Sequence, residues 1–149
     1  MKKIILNSIF AICIVISLTS CEKWWKGGIG GGTYTDRLAF TEPIMESLDD
    51  KGGTPPGYGV LMVYFEELCI DKNEKVSVYV DNMCIGDISK AAGNRDPEFG
   101  EQSESCITCP LEIGNYSMSL KIGKDTYDVN PFVIRQNFCT RVPFKISCK

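Results

Sequence analysis

Short segments in which apolar and polar residues alternate between turn formers dominate this 149-residue chain beyond position 57, and no helix-period run of useful length interrupts them. Period-two text buries one face of a strand and leaves the other to water. At 75–80 it is clean: Val76, Val78 and Val80 point one way, Ser77 and Tyr79 the other. Asp81-Asn82 can take the positive φ of a two-residue turn, so 83–88 returns as a partner strand. Tyr116, Met118, Leu120 and Ile122 share a parity that sends all four to the core. Gly123-Lys124 then suits a type II′ hairpin, and 125–129 returns with Tyr127 and Val129 on one face.

Other segments read differently. Residues 60–68 form a continuous apolar run rich in β-formers and closed by Glu66 and Glu67, which fits a first strand. Residues 132–136 make a short strand, and 141–148 closes the chain with Val142, Phe144, Ile146 and Cys148 on one side. Pro143 donates no hydrogen bond, which places that last strand at an edge or at a bulge. Residues 89–105 are polar and rich in turn formers, a long loop. Roughly six to eight strands joined by turns indicate an all-β fold, a small two-sheet antiparallel sandwich over 58–149.

The start of the chain carries an address. Lys2 and Lys3 precede an apolar run that ends in Leu18-Thr19-Ser20-Cys21. A charged n-region, a short h-region and a small-residue cleavage site make 1–20 a signal peptide. As a membrane span it is marginal, because crossing ~30 Å of hydrocarbon takes about 20 apolar residues and Asn7 and Ser8 interrupt this run. Leu18-Thr19-Ser20-Cys21 resembles the lipobox of bacterial lipoproteins, whose cysteine receives a diacylglyceryl thioether before cleavage and usually an acyl group on the new amine. The resemblance implies lipidation at Cys21, with the protein held in the cell envelope at the outer membrane, facing the periplasm or the surface. Its first partner is then the membrane itself, since two or three acyl chains anchor a protein stably. Trp24 and Trp25, flanked by Lys23 and Lys26, suit the headgroup layer, and the glycines of 27–32 make a tether. Residues 33–57 show little periodicity, with room for one helical turn at 44–48. Together 21–57 is expected to be the lipidated N-terminus, a tether and an irregular spacer that lifts the domain off the membrane or wraps one edge of it.

Composition narrows the chemistry. Lys2 and Lys3 leave with the signal peptide, so 14 of the 16 Lys and Arg face all 19 Asp and Glu, a side-chain charge of −5. An acidic body without a basic stripe excludes nucleic acid as a partner. The chain has no histidine, which removes Ser-His-Asp and Cys-His nucleophiles and histidine metal sites. Glu66, Glu67, Asp71 and Glu74 read as a solvated strand connection rather than a carboxylate pair across a cleft. Asp49-Asp50 and Asp125 with Asp128 lack calcium-loop spacing. No cofactor and no metal are expected.

Cys13 leaves with the signal peptide, and Cys69, Cys84, Cys106, Cys109, Cys139 and Cys148 remain in the body. An even set in an exported chain reads as disulfides, up to three of them, with 15 connectivities open. Cys106-Ile107-Thr108-Cys109 has redox spacing without the helix that lowers a thiol pKa. On a strand its two cysteines face opposite sides about 10 Å apart, too far to bridge. Cys106 with Cys139 could staple the sheets, leaving Cys69 with Cys148 and Cys84 with Cys109.

Val78-Tyr79-Val80-Asp81-Asn82-Met83-Cys84-Ile85-Gly86, then Leu111-Glu112-Ile113-Gly114-Asn115-Tyr116, then Cys139, resemble the small Ig-like or PEGA-like sandwiches of bacterial lipoproteins. The resemblance covers 75–146, with Asn82 where glycine is usual and Ile113 where alanine is usual. It implies an Ig-like or prealbumin-like sandwich that binds or supports and does not catalyse. Loops at 89–105 and 125–130 would carry contacts with an envelope protein partner, and Tyr79, Phe99 and Tyr127 are candidate contact residues. The alternative is an inhibitor or immunity lipoprotein that blocks a cell-wall hydrolase or toxin, which the acidic charge favours.

Overall fold

The computed structural model describes residues 33–149. The expected signal peptide, Cys21, the tryptophan pair and the expected glycine tether lie outside the described residues. The strands are β1 (Leu38–Phe40), β2 (Ile44–Ser47), β3 (Tyr58–Leu68), β4 (Val76–Val80), β5 (Met83–Ile88), β6 (Cys106–Glu112), β7 (Gly114–Ile122), β8 (Asp125–Ile134) and β9 (Phe138–Ile146), with a short 3-10 turn at Asp49–Lys51. One sheet runs β1-β9-β3-β6 with β2 also on β9, and the other runs β5-β4-β7-β8. The pairings are antiparallel except for β3 beside β9. This is the all-β sandwich that the period-two text indicates. Counting from β3, the first, fourth and seventh strands share one sheet and the other four share the second. An immunoglobulin sandwich instead places its first, second, fourth and fifth strands together.

The hairpins follow their turn residues. Asp81 and Asn82 take φ of 45° and 66° and close β4 onto β5, and Gly123 at φ 58° closes β7 onto β8. Between the sheets lie Val76, Val78 and Val80 from β4, Met118, Leu120 and Ile122 from β7, and Leu61, Val63 and Phe65 from β3, all buried. The opposite face of β3 is buried too. Val60, Met62 and Tyr64 form a second cluster with Leu48, Cys106 and Cys139, and Ala92 of the long loop packs on it. Ala92 N–H donates to Phe65 O at 2.7 Å, which pins that loop across the outer face of the first sheet. A strand covered on both sides has no polar face, hence the continuous apolar run.

Four expectations change. Residues 44–48 give strand β2 instead of a helical turn, because β9 offers an open edge to pair with and four residues gain more from that ladder than from one isolated turn. The domain starts before position 58: β1 and β2 belong to the first sheet, and Tyr34, Leu38 and Leu48 are buried. Residues 125–130 are part of β8, which runs on through 132–134 and tolerates Pro131 because β8 is an edge strand. The last strand, β9, is central rather than an edge. Its Pro143 falls where β1, ending opposite Phe144, and β2, beginning opposite Arg141, leave a gap in the neighbouring edge.

Candidate functional site

An open groove of about 870 Å³ lies on the outer face of the first sheet. Register builds it. Arg141 of β9 lies between Ile44 of β2 and Met62 of β3, so Ile44, Arg141 and the Cys139 side of β9 share the outer face. Asp96, Pro97, Glu98 and Phe99 form the opposing wall, and Tyr64 and Lys51 complete the lining. The wall is shaped by Glu101, whose carboxylate accepts from Arg95 at 2.9 Å and from Glu98 N–H at 3.2 Å, while its carbonyl accepts from Thr108 Oγ1 at 2.6 Å. Pro97 is buried beneath it.

Charge in the groove is uneven. Lys51 Nζ donates to Glu46 Oε1 at 2.6 Å, and Arg141 Nε lies 2.8 Å from Glu46 Oε2, close in distance but off the N–H axis, an ion pair more than a straight hydrogen bond. Lys51 foremost, then Arg141, hold the Glu46 carboxyl below its usual range. Lys51 also sits 5.7 Å from the centre of the Phe99 ring. Burial pushes the Tyr64 hydroxyl up, and the charge of Asp96 adds to it. Both groove cations thus converge on Glu46, and the Asp96 and Glu98 carboxylates stand exposed.

The cysteines sort by face. Cys69 and Cys148 are joined, with α-carbons 5.2 Å apart, and tie the end of β3 to the C-terminus. Glu67 Oε1 accepts from Cys148 N–H at 2.9 Å and Glu67 Oε2 pairs with Lys145 at 3.1 Å, so this carboxylate supports the bridge. Cys106 and Cys139 are buried and unjoined. The first stands beside Tyr64 and the second beside Val60, on opposite flanks of β3. Two interstrand spacings, about 10 Å, exceed the ~7 Å reach of a bridge. Cys84, exposed, lies opposite Tyr79 on the outer face of the second sheet, while Cys109 lies opposite Leu61, so the expected Cys84–Cys109 bridge is absent as well. Burial raises Cys106 to about 11 and raises Cys109 and Cys139, away from thiolate reactivity. Cys106 and Cys109 face opposite sides of β6, as the strand reading requires.

The acidic cluster at the first strand connection does not converge either. Glu66 is exposed, Glu67 serves the bridge, and Glu74 accepts a 2.5 Å hydrogen bond from the Tyr34 hydroxyl. Of the candidate contact residues, Phe99 lines the groove and Tyr79 is half-buried, but Tyr127 is fully buried in the core. Sequence reading misses Glu46, Lys51 and Arg141, which come together only through the β2–β9 register. No protein family, curated protein or solved structure matches the chain.

Proposed function

We propose that this protein is an envelope lipoprotein, anchored through lipid on Cys21, whose sandwich is a non-enzymatic binding module. Leu18-Thr19-Ser20-Cys21 behind a charged n-region carries the address. The layout of the sandwich supports the binding role. Thr33 N–H donates to Asp125 Oδ2 at 2.8 Å and Tyr34 N–H to the Tyr127 hydroxyl at 3.0 Å, so the chain enters at the pole of the β7–β8 hairpin. The exposed large apolar residues sit elsewhere: Ile44, Met45 and Phe99 at the groove, and Tyr58, Met83, Ile113 and Val133 toward the opposite pole. An open groove suits a polypeptide surface better than the enclosed pocket a small substrate needs. Its central carboxylate, Glu46, is held low by two cations, the reverse of the raised pKa that general acid catalysis uses.

Fractionation tests the reading. Wild-type protein is expected in the membrane fraction with an intact mass that includes two or three acyl chains, and Cys21→Ser in the soluble fraction. A wild-type mass with bare Cys21 overturns the address, and turnover of peptidoglycan or peptide substrates overturns the module. The acidic charge favours a second reading, a lipoprotein inhibitor of a basic hydrolase or toxin. Cross-linking in envelope extracts decides it, since one captured hydrolase that loses activity moves the function there.

A further inference from the structure

Every sheet edge in a soluble protein is a template for another strand unless something blunts it. In this sandwich β6 carries Pro110, β8 carries Pro131, and β5 is bulged where its register on β4 shifts between Val78 and Tyr79. β1 is three residues long. β2, Ile44-Met45-Glu46-Ser47, has no proline, lysine or bulge, and among the described residues it pairs with β9 along one side only. Ile44 and Met45, on opposite faces of this strand, are both exposed, at 53% and 43%. Its one charged side chain, Glu46, is turned to Lys51 and Arg141 instead of guarding the edge.

We infer that the free edge of β2 takes up an extended polypeptide strand that is basic and apolar by turns. The inference rests on the binding-module reading and names its ligand class. Main-chain groups of alternate β2 residues supply the ladder on the side of β2 away from β9, and every second side chain of the incoming strand falls on the outer face beside Ile44, from where a long side chain extends past Ile44 toward the groove. Charge selects the sequence. Glu46 already satisfies both groove cations, so the groove offers the incoming strand the exposed carboxylates of Asp96 and Glu98, which lysine or arginine would pair and aspartate or glutamate would oppose.

The test uses the mature lipidated protein in detergent micelles and three labelled peptides of about eight residues read by fluorescence anisotropy. One alternates valine and threonine with lysine at both ends, one has glutamate for lysine, and one is the lysine peptide N-methylated at alternate amides. The lysine peptide is expected to bind about tenfold more tightly than either of the others. Asp96→Asn with Glu98→Gln, both exposed, should erase the lysine-over-glutamate preference without touching the N-methyl effect. Equal affinity for all three peptides, or no binding of the lysine peptide at about 1 mM, overturns the inference. Self-association that the lysine peptide displaces would give the edge to a second copy, and also overturns it. Membrane release of Cys21→Ser is scored separately, so a failed address and a failed edge are told apart.

Discussion

The two sheets of this sandwich face water differently. The second sheet, β5-β4-β7-β8, buries one face and leaves Ser77, Lys121 and Asp128 outward, so its strands alternate. The first sheet is buried on both faces around β3, with 89–105 and Leu48 laid over its outside. Covering a sheet with irregular chain leaves seams, and the groove is the seam between that cover and β2. The groove therefore arises on the sheet that is more buried, where two kinds of structure meet.

The largest expected effect sharpens this contrast. Met62 is fully buried on the outer face of the first sheet and Leu120 on the inner face of the second. Both Met62→Ala and Leu120→Ala should cost about 2–5 kcal/mol in urea unfolding. Lys121→Ala, on the outer face of the second sheet, should stay within about 0.5 kcal/mol. If Met62→Ala costs no more than Lys121→Ala, the cover over the first sheet is not packed and the comparison collapses.

The bridge comes next. Cys69–Cys148 spans 79 residues of sequence and fastens β3 to the chain end within the first sheet. Cys148→Ser should lose ~2–4 kcal/mol, while Cys84→Ser, exposed and unbridged, should change stability by less than about 0.5 kcal/mol. Peptide mapping that finds Cys106 joined to Cys139 would require β3 to leave its place between them.

Sequence alone reveals the second sheet better than the first, for a physical reason. One-sided burial writes itself as alternation, so β4 and β7 are legible, and the turns at Asp81-Asn82 and Gly123-Lys124 add β5 and the start of β8. Two-sided burial writes only an apolar run, which marks β3 as a strand but does not say what covers it. β2 has almost no burial pattern at all, and it is a strand because β9 has room beside it. Pro143 argues for an edge by local chemistry, and only the break between β1 and β2 shows how a central strand accommodates it. The groove is assembled from 44–51, 96–99 and 141, segments whose meeting depends on register that spacing does not encode. Cysteine spacing likewise cannot tell which flank of β3 a thiol occupies.

The smallest expected effect separates the cover from the seam where the chain enters. Cys106, on the outer face of the first sheet, is raised by burial from an ordinary value near 9 to about 11. Tyr34, which joins the entering chain to Glu74, is raised by burial first and its hydrogen bond to Glu74 second, from near 10 to about 12. In both cases the folded state holds the proton more tightly than the unfolded chain does. Each contribution is therefore complete below the unfolded value and is lost as pH rises through the folded one. Stability should fall first between pH about 9 and about 11, from Cys106 together with the burial-raised thiols of Cys109 and Cys139, and again toward about 12, from Tyr34, with the raised Tyr64 and Tyr127 adding to the decline. Urea unfolding across this range should show Cys106→Ala flattening the earlier part of the decline and Tyr34→Phe the later part. An alkaline decline that neither substitution alters would mean that the thiol is not sealed under the loop and that the entering chain is not latched by its tyrosine.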